Sequence, residues 1–537
     1  MKARIADRVV YSPYPKVDIP TCSIYTAIST FLSMRPEKLA VVDEQISLTR
    51  GQFLLRMKRY AAGFQAHGLG PADRVAVHLG NSAENLTALF AITFTGASVI
   101  LCNPILNQEE LLFQMSDGGA THIFTNQQLV PKAMAIHSKL RLKGLFVTGE
   151  AEGFISVTKF AEIKVEDFHE VPVEDPKKTT VALFYSSGTT GHAKGIEISH
   201  YSFVANLHMT GSCLTYEENQ NDVLLAWYPL TYASGFLFTI VAACVGSTCV
   251  IVSPGISFDE FVYYINKYKV TTLASVPTRL HYYISDMERT GTRLPSVRKL
   301  NVGGTVLTRS LADRLRAAFP GLRCLRNLYG MSESCSVLCS PPTDELGAAN
   351  IGFPAPMVEL KVLDLETGKK LGPHQNGELY FRVPSVMSGY YRDPELTAAF
   401  MDKDGWCKSG DIAFYDEDGR FYFVDRMKDM IKCLDQQVSS AELESLLQNH
   451  ESVADAAVVG IPGTEYGDAP AAFVVLNDPA AAPAPTAKQL KDYVAENLEA
   501  FKHLYAGVVF VERLPRNING KVIKQQLKQL YQTTTVY

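Results

Sequence analysis

Apolar and polar residues follow two different periods along the chain, and each change of period marks a predicted element. A helical pattern covers Asn85–Phe94. Short β-branched runs predict buried strands at Arg74–Leu79, Ser98–Leu101, Thr121–Phe124, Gly144–Val147 and Val181–Tyr185. Strands that alternate with helices are typical of parallel or mixed sheets covered by helices, so we expect α/β layers from about residue 20 to residue 425.

The pattern changes after about residue 355. Short strands separated by Gly/Asp turns, such as Asp364–Gly368 and Asp416–Gly419, indicate a more antiparallel subdomain. A separate α+β unit follows, in which Ser439 and Thr486 are predicted helix N-caps. The predicted fold class is therefore α/β plus α+β. It has a large N-terminal domain (residues 1–425), a hinge near residues 425–429 and a small mobile C-terminal domain (residues 426–537).

One apolar run, Gly235–Val252, is long enough to cross a bilayer. Gly246–Thr248 interrupts it, so the pattern favours a buried helix followed by a buried strand and no membrane span. The charged start Met1–Arg8 has no apolar core and predicts no secretory signal. The last residues, Thr534–Tyr537, do not form a Ser-Lys-Leu-type peroxisomal address, so a cytoplasmic protein is expected.

Composition excludes several classes of protein. Hydrophobic residues make up 47% and charged residues 20% of the chain, which excludes a largely disordered or coiled-coil protein. Lys and Arg number 51 against 56 Asp and Glu, a net charge of −5, so no basic excess predicts a nucleic-acid partner. The 10 Cys form no CxxC pair; Cys244, Cys249, Cys335 and Cys339 are predicted to be small buried apolar residues.

The segment Tyr185–Gly195 reads YSSGTTGHAKG and directly follows a predicted strand. Glycines allow backbone N–H groups to approach a phosphate chain, hydroxyls bond its oxygens, and Lys194 adds positive charge. Ala193 before this lysine and Gly195 after it exclude a Walker A loop. The segment therefore predicts a phosphate-binding loop of another type, with a flexible Gly/Ser/Thr turn as the alternative.

Four further motifs occur in order: LYGMSE at Leu328–Glu333, GWCKSGD at Gly405–Asp411, VDR at Val424–Arg426 and NGK at Asn519–Lys521. Together with the glycine-rich loop, they resemble the adenylate-forming superfamily of acyl-CoA synthetases, 4-coumarate–CoA ligases, luciferases and peptide-synthetase adenylation domains. The chain is most similar to the 4-coumarate–CoA ligase and luciferase branch. The resemblance implies that ATP activates a small-molecule carboxylic acid as an acyl-adenylate, with release of pyrophosphate, before transfer to an acyl acceptor.

The resemblance also assigns the nucleotide site. Negative charge accumulates around the α-phosphorus during adenylation, so cations and hydrogen-bond donors are needed there. The resemblance implies that Glu333, beside Ser332, holds Mg²⁺ and the α-phosphate, and that Asp411 and Arg426 bind the ribose. The other implied nucleotide ligands are, for the phosphates, Ser186, Ser187, Gly188, Thr189, Thr190 and Lys194 and, for the rest of the nucleotide, Gly304, Thr305, Asn327, Leu328 and Tyr329.

In this superfamily the small domain rotates about a hinge, so that one site serves two reactions. The resemblance implies that Lys521 contacts the α-phosphate and the carboxylate during adenylation and that the hinge residue is Lys428. Rotation then brings in the segment Lys432–Val438, which contains the expected site residues Lys432 and Gln437.

Three positions depart from CoA-forming relatives in the same direction. The rotating segment of those relatives typically reads Lys-x-Lys-Gly-x-Gln-Val, but here the second lysine is Leu434 and the glycine is Asp435. A Lys or Arg usually follows the strand at Cys249–Val252, whereas Ser253–Ser257 contains no cation. An added carboxylate and two missing cations disfavour an anionic cofactor, so the use of CoA stays open.

The implied acyl pocket also departs from the family pattern. Tyr232 occupies the usual position of a histidine, and Ser234 occupies the position of an aromatic residue in aryl-binding relatives. The family's Gly-Gly-Ala-Pro is replaced by Gly303, Gly304, Thr305 and Val306, and Leu328 narrows a position normally left open. These residues predict a pocket unlike that of a hydroxycinnamate ligase.

Four functions stay open at this point. The branch resemblance favours a ligase that forms a CoA thioester, whereas Leu434 and Asp435 favour transfer to an amine or another nucleophile without CoA. Luciferase-like oxygenation of the adenylate is a third alternative. A non-catalytic ligand-binding relative is the fourth, and the intact Lys521, Glu333 and Arg426 argue against it.

Overall fold

The computed structural model describes residues 1–186, 193–213, 221–305, 307–342, 350–434, 436–464, 466–477, 485–517 and 520–534. The expected site residues Ser187, Gly188, Thr189, Thr190, Val306 and Asp435 lie outside these ranges, and only the backbone of Ser186 is described.

The strands are, in chain order, β1 Arg4–Ala6, β2 Val9–Tyr11, β3 Leu39–Val42, β4 Ser47–Thr49, β5 Arg74–His78, β6 Ser98–Leu101, β7 His122–Asn126, β8 Gly144–Thr148, β9 Ile155–Ser156, β10 Thr180–Ser186, β11 Lys194–Ser199, β12 Val223–Ala226, β13 Thr248–Ile251, β14 Thr272–Ser275, β15 Lys299–Gly303, β16 Cys324–Met331, β17 Ser336–Ser340, β18 Phe353–Pro354, β19 Glu359–Leu363, β20 Gly377–Arg382, β21 Gly389–Tyr390, β22 Cys407–Tyr415, β23 Phe421–Arg426, β24 Ile431–Cys433, β25 Gln436–Val438, β26 Val453–Thr464, β27 Gly467–Leu476 and β28 Val508–Phe510.

The helices are, in chain order, α1 Ile24–Ser33, α2 Arg50–Ala66, α3 Ala83–Phe94, α4 Gln108–Asp117, α5 Val130–Leu140, α6 His200–Cys213, α7 Ala233–Val245, α8 Phe258–Tyr268, α9 Pro277–Thr290, α10 Arg309–Ala318, α11 Pro394–Phe400, α12 Ser440–Gln448, α13 Ala487–Asn497 and α14 Lys524–Tyr531.

Two mixed sheets form the α/β layers that the sequence predicts. The strand orders are β21-β11-β10-β6-β5-β7-β8-β9 and β18-β17-β16-β15-β14-β12-β13-β3-β4. Most of their central strands pair in parallel, for example β5 with β6 and β15 with β16, and are strongly apolar because both faces are covered, whereas β10–β11 and β16–β17 are antiparallel pairs. Every residue of α3 is buried, and Phe90 of α3 stacks on Phe236 of α7 with ring centroids 4.8 Å apart. The helices of the two sheets thus share one core.

The apolar run at Gly235–Val252 forms a buried helix and then a buried strand, as predicted. Helix α7 ends at Gly246, whose φ of 118° few other residues adopt, and β13 follows as an interior strand. Among the described residues, no helix is long and apolar enough to span a membrane. Cys244 and Cys249, at the two ends of this turn, are each 0% exposed, in agreement with their predicted apolar role.

The β-rich subdomain is an antiparallel sheet with the order β1-β2-β19-β20-β22-β23. The predicted turn at Asp364 is present: Thr367 N donates a hydrogen bond to Asp364 Oδ1 over 2.8 Å, and Gly368 has a φ of 65°. The sequence pattern did not indicate that β1 and β2, from the start of the chain, complete this sheet.

The C-terminal unit is α+β and has its own core. β25-β24-β27-β26 form a sheet, β28 pairs with β27, and α12, α13 and α14 are the accompanying helices. Both predicted caps are present: Ser439 Oγ accepts a hydrogen bond from Glu442 N at 3.2 Å, and Thr486 forms a reciprocal capping box with Gln489. This unit follows β23, which carries Arg426 as its last residue.

Candidate active site

A cleft of about 2280 Å³ lies between the two domains and extends into the second mixed sheet. Its walls include the carboxyl ends of the parallel strands β14, β15 and β16, the usual place for a ligand in an α/β sheet. The expected site residues that line it are Lys194, Tyr232, Ser234, Gly303, Gly304, Thr305, Asn327, Leu328, Tyr329, Ser332, Glu333, Asp411, Arg426, Lys428 and Lys521.

The glycine-rich segment connects the antiparallel strands β10 and β11, with Ser186 opposite Lys194. The Lys194 ammonium lies 5.8 Å from the centroid of the Tyr390 ring, and Tyr390 Oη donates a 3.0 Å hydrogen bond to Glu333 Oε1. No motif in the sequence singles out Tyr390. Tyr390 is the last residue of β21, which pairs with β11, and this pairing between distant segments places it beside Lys194. Tyr390 thus lies between Lys194, which is expected to bind phosphate, and Glu333, the carboxylate expected to bind a metal ion.

Asp411 occupies a buried position at the end of the cleft, on β22 directly opposite Arg426 of β23. Tyr329 Oη donates a 2.6 Å hydrogen bond to Asp411 Oδ2, while Oδ1 lies 3.8 Å from Arg426 Nε, beyond hydrogen-bonding distance. Burial raises the pKa of the Asp411 carboxyl, and the nearby Arg426 guanidinium opposes that shift. Tyr329 therefore orients one oxygen of the Asp411 carboxylate, and the other oxygen faces a cation. A carboxylate held in this way can accept hydrogen bonds from a pair of hydroxyl groups.

A tight turn presents Lys521 to the cleft. Gly520 has a φ of 76°, and Lys521 N donates a 2.9 Å hydrogen bond to Asn517 Oδ1. Arg516 Nη1 donates a 2.6 Å hydrogen bond to the Gly520 carbonyl and also pairs with Asp455 of β26. Because both ends of the turn are held, the lysine leaves the small domain at a defined position.

The Lys521 ammonium lies within the electrostatic field of the residues expected to bind the nucleotide. The pKa of Lys521 is lowered to about 8, chiefly by burial and also by the neighbouring Arg426 and Lys428, while Asp411 and Glu333 oppose the shift. The structure therefore brings a lysine from the small domain together with the carboxylates of the large domain. The motifs predicted this meeting, but their spacing in sequence does not require it.

A buried polar network connects the domains beside the predicted hinge. Asp425 Oδ2 accepts hydrogen bonds from Ser440 Oγ at 2.8 Å and Ala441 N at 3.2 Å, so a residue of β23 caps helix α12. Lys524 Nζ donates to Ser440 Oγ and pairs with Glu444 at 2.9 Å. These partners were not expected from sequence, because they are separated by up to about a hundred residues and show no local motif.

The predicted rotating segment is a β-hairpin made of β24 and β25. Lys432 and Gln437 are both exposed, and neither is among the described residues that line the cleft. Leu434, at the turn, has a φ of 50° and is 43% exposed, an unusual conformation for a bulky residue. In this structure, then, Lys521 faces the cleft and the hairpin with Lys432 does not.

The expected acyl-pocket residues lie around the start of α7 and the end of β15. Burial raises the pKa of Tyr232, and the nearby Glu333 adds to the shift. Ser234 Oγ is buried without a hydrogen-bond partner among the described residues. A Cβ at Gly303 would lie 2.8 Å from the Leu328 carbonyl oxygen on the adjacent strand, so glycine is required there. Leu328 itself lines the cleft, and its position beside a substrate stays a prediction.

Comparison with known proteins identifies the family. A family model described as AMP-binding enzyme matches residues 29–391, and the model of the AMP-binding enzyme C-terminal domain matches residues 442–521. The chain belongs to the AMP-binding enzyme family. As a family member it has the expected large and small domains, and its relatives include both branches that the sequence motifs resemble.

Among curated relatives, luciferin 4-monooxygenase of Photinus pyralis is 30% identical over 509 residues, covering 92% of this chain and 91% of the relative. 4-Coumarate–CoA ligase 4 of Arabidopsis thaliana is 32% identical over 504 residues, covering 90% and 86%. The structure of ATP-bound MatB from Rhodopseudomonas palustris is similar with a TM-score of 0.83 at 25% identity, covering 94% of this chain and 99% of that one. The o-succinylbenzoate CoA synthetase of Bacillus subtilis, bound to its acyl-adenylate, gives a TM-score of 0.78 at 26% identity, covering 94% and 97%.

Proposed function

We propose that this family member is an AMP-forming ligase that activates a small-molecule carboxylic acid with ATP and transfers the acyl group to CoA. The observation that carries the proposal is the position of Lys521, a partly buried amine of the small domain that lines the cleft in the field of Asp411 and Glu333 of the large domain. A desolvated cation at this point offsets the negative charge that develops during attack at the α-phosphorus. The catalytic residues proposed for this step are Lys521, Glu333 and Ser332.

The nucleotide would lie along the large-domain side of the cleft. Asp411, oriented by Tyr329 and paired with Arg426, would accept hydrogen bonds from the ribose hydroxyls. Gly304 has a φ of 87° and lacks a side chain beside the space next to Tyr329, which leaves room for the adenine. Lys194, with the glycine-rich segment between β10 and β11, would hold the phosphates.

The carboxylate of Glu333 is a suitable ligand for a Mg²⁺ ion. The described residues contain no group of three or more His, Cys, Asp or Glu side chains able to enclose a metal ion. Mg²⁺ is usually held by one or two carboxylates together with substrate phosphates, so a single cleft carboxylate fits that ion. The ion would neutralise phosphate charge, while Tyr390, which donates to Glu333 Oε1, keeps this carboxylate oriented.

The reaction would proceed in two steps. In the first, a carboxylate oxygen attacks the α-phosphorus, the bond to the bridging oxygen breaks, and pyrophosphate leaves with that electron pair. In the second, the CoA sulfur attacks the acyl carbonyl carbon and AMP leaves. Lys432 and Gln437 are exposed outside the cleft here, so the second step would require rotation of the small domain about Lys428.

A second candidate function is acyl transfer to an amine without CoA. Leu434 favours it, because an exposed apolar side chain stands in the hairpin where CoA-forming relatives carry a lysine. The two functions share the adenylation step and differ only in the acceptor.

One paired experiment tests the proposal. Pyrophosphate release is measured with a panel of carboxylic acids, with and without CoA, and the products are identified by mass spectrometry. Acid-dependent pyrophosphate release with a CoA thioester as product is the expected result. Acid-dependent pyrophosphate release without a thioester product would mean that the acyl acceptor is not CoA. The absence of pyrophosphate release with every acid would refute adenylation.

A further inference from the structure

The cleft continues beyond the expected acyl pocket into a deeper chamber between helix α7 and the second mixed sheet. The helix supplies an apolar wall that includes Phe238, Val241 and Val245. The facing sheet supplies residues from one face of its neighbouring parallel strands, because alternate residues of a strand point to the same face. The polar residues of this wall are Thr272, Lys299, Asn301 and Arg326 on β14, β15 and β16, together with Asp222 just before β12.

Two of these charges neutralise each other. Lys299 Nζ lies 2.9 Å from Asp222 Oδ2, and Asp222 is only 8% exposed. Thr271 Oγ1 donates a 3.2 Å hydrogen bond to Asp222 Oδ1. This carboxylate is therefore already satisfied by a cation and a hydroxyl, and the pair leaves no net charge at its end of the chamber.

Arg326 is not neutralised in this way. It lies on β16 opposite Asn301 of β15, is 5% exposed, and donates from Nε to Asn301 Oδ1 over 2.8 Å. It forms no ion pair with any carboxylate of the described residues. A guanidinium has five N–H donors, and only the one on Nε is used by Asn301. Burying a cation without a counter-ion is costly, so the arrangement favours an anion supplied from the cleft.

We infer that Arg326 binds a second carboxylate at the far end of the acyl substrate, so that the substrates are elongated dicarboxylic acids. This inference rests on the proposed adenylation of the first carboxylate. The planar guanidinium presents two parallel N–H groups that match a carboxylate, and Asn301 fixes its orientation through Nε.

The position of Arg326 on β16 sets the expected distance between the two carboxylates of the substrate. Arg326 precedes Tyr329 by three residues on β16, which is about 10 Å at roughly 3.3 Å per residue. Leu328 lies between them on the Arg326 face and would contact the middle of the chain. The two carboxylates would therefore be separated by an apolar spacer of about that length rather than by one or two carbons.

Matched pairs of acids test the inference on the full-length protein. Azelaic acid is compared with nonanoic acid, and 4-carboxycinnamic acid with cinnamic acid, by acid-dependent ATP–pyrophosphate exchange. We expect kcat/KM to favour each diacid by about 10- to 100-fold, the range for one charge-assisted hydrogen-bonded pair. Arg326→Met should remove the preference, whereas Arg323→Met, at an exposed position just before β16, should retain it.

Each outcome bears on one of the two proposals. A wild-type protein that exchanges pyrophosphate equally well or better with both monoacids would overturn the inference and leave adenylation intact. Exchange with no acid of a broad panel would overturn adenylation and the inference with it. If Arg326→Met does not fold, as judged by thermal melting, the wild-type comparison of the two pairs still decides the question.

Discussion

Removal of the Lys521 amine is the most direct test of the adenylation geometry. Losing one preorganised electrostatic contact to a developing charge costs about 10²- to 10³-fold in rate. In Lys521→Ala the cations Arg426 and Lys428, whose fields reach this position, remain in place. They compensate in part, so we expect adenylation to slow by about 10²-fold, the lower end of that range.

The assay separates the two half-reactions. ATP–pyrophosphate exchange reports adenylation, and reaction of a presynthesised acyl-adenylate with the acceptor reports transfer. The exposed hairpin with Lys432 replaces Lys521 at the cleft in the proposed second conformation, so transfer should be nearly unaffected by Lys521→Ala. Lys488→Ala, at an exposed position of α13, is the matched control and should leave both rates unchanged.

Equal losses in the two half-reactions of Lys521→Ala would refute the reasoning, because they would mean that this lysine stays in the site throughout the cycle. An unchanged exchange rate would refute it as well, because loss of a cation from the α-phosphate should lower the rate of adenylation.

Three further predictions concern the charge of Lys521, the pair Leu434 and Asp435, and the packing around Gly235. The pKa of Lys521 is lowered to about 8, so its positive charge is present below that pH and lost above it. We therefore expect kcat/KM for pyrophosphate exchange to fall as the pH rises through this value. A kcat/KM that does not change across this pH range would contradict the role of the Lys521 charge in adenylation. Leu434→Lys combined with Asp435→Gly should raise thioester formation at limiting CoA several-fold without changing adenylation, because it adds a cation and removes a carboxylate. Efficient thioester formation by the wild type at low CoA would contradict the expectation that these two positions disfavour the anionic cofactor. Gly235→Ala should destabilise the protein by about 1–3 kcal/mol in denaturant unfolding, because its Cβ would clash with the Pro229 carbonyl oxygen, whereas Gly255→Ala meets open space. Equal stability of the two variants would refute this packing argument.

Local sequence patterns were sufficient to predict many of the strands and helices and to single out the motifs that resemble a nucleotide site. The period of apolar residues is a local property, so strands such as β6 at Ser98–Leu101 and the helix–strand interpretation of Gly235–Val252 could be predicted without a tertiary fold. The motifs carried Tyr329, Glu333 and Asp411 in recognisable order, and the structure places all three on one cleft. Each motif is contiguous in sequence, which is why resemblance alone could assign it.

Contacts between distant strands were decided only by the tertiary structure. Tyr390 meets Glu333 because β21 pairs with β11, and Asp425 caps helix α12 across the domain boundary. The charge balance of the deep chamber depends on the register that sets Asn301 opposite Arg326, with strands from three separate segments side by side. A lone arginine in a buried strand is visible in the sequence, but whether it has a counter-ion depends on which residues the neighbouring strands bring beside it. Parallel register is a long-range property, and no local pattern of this chain specifies it.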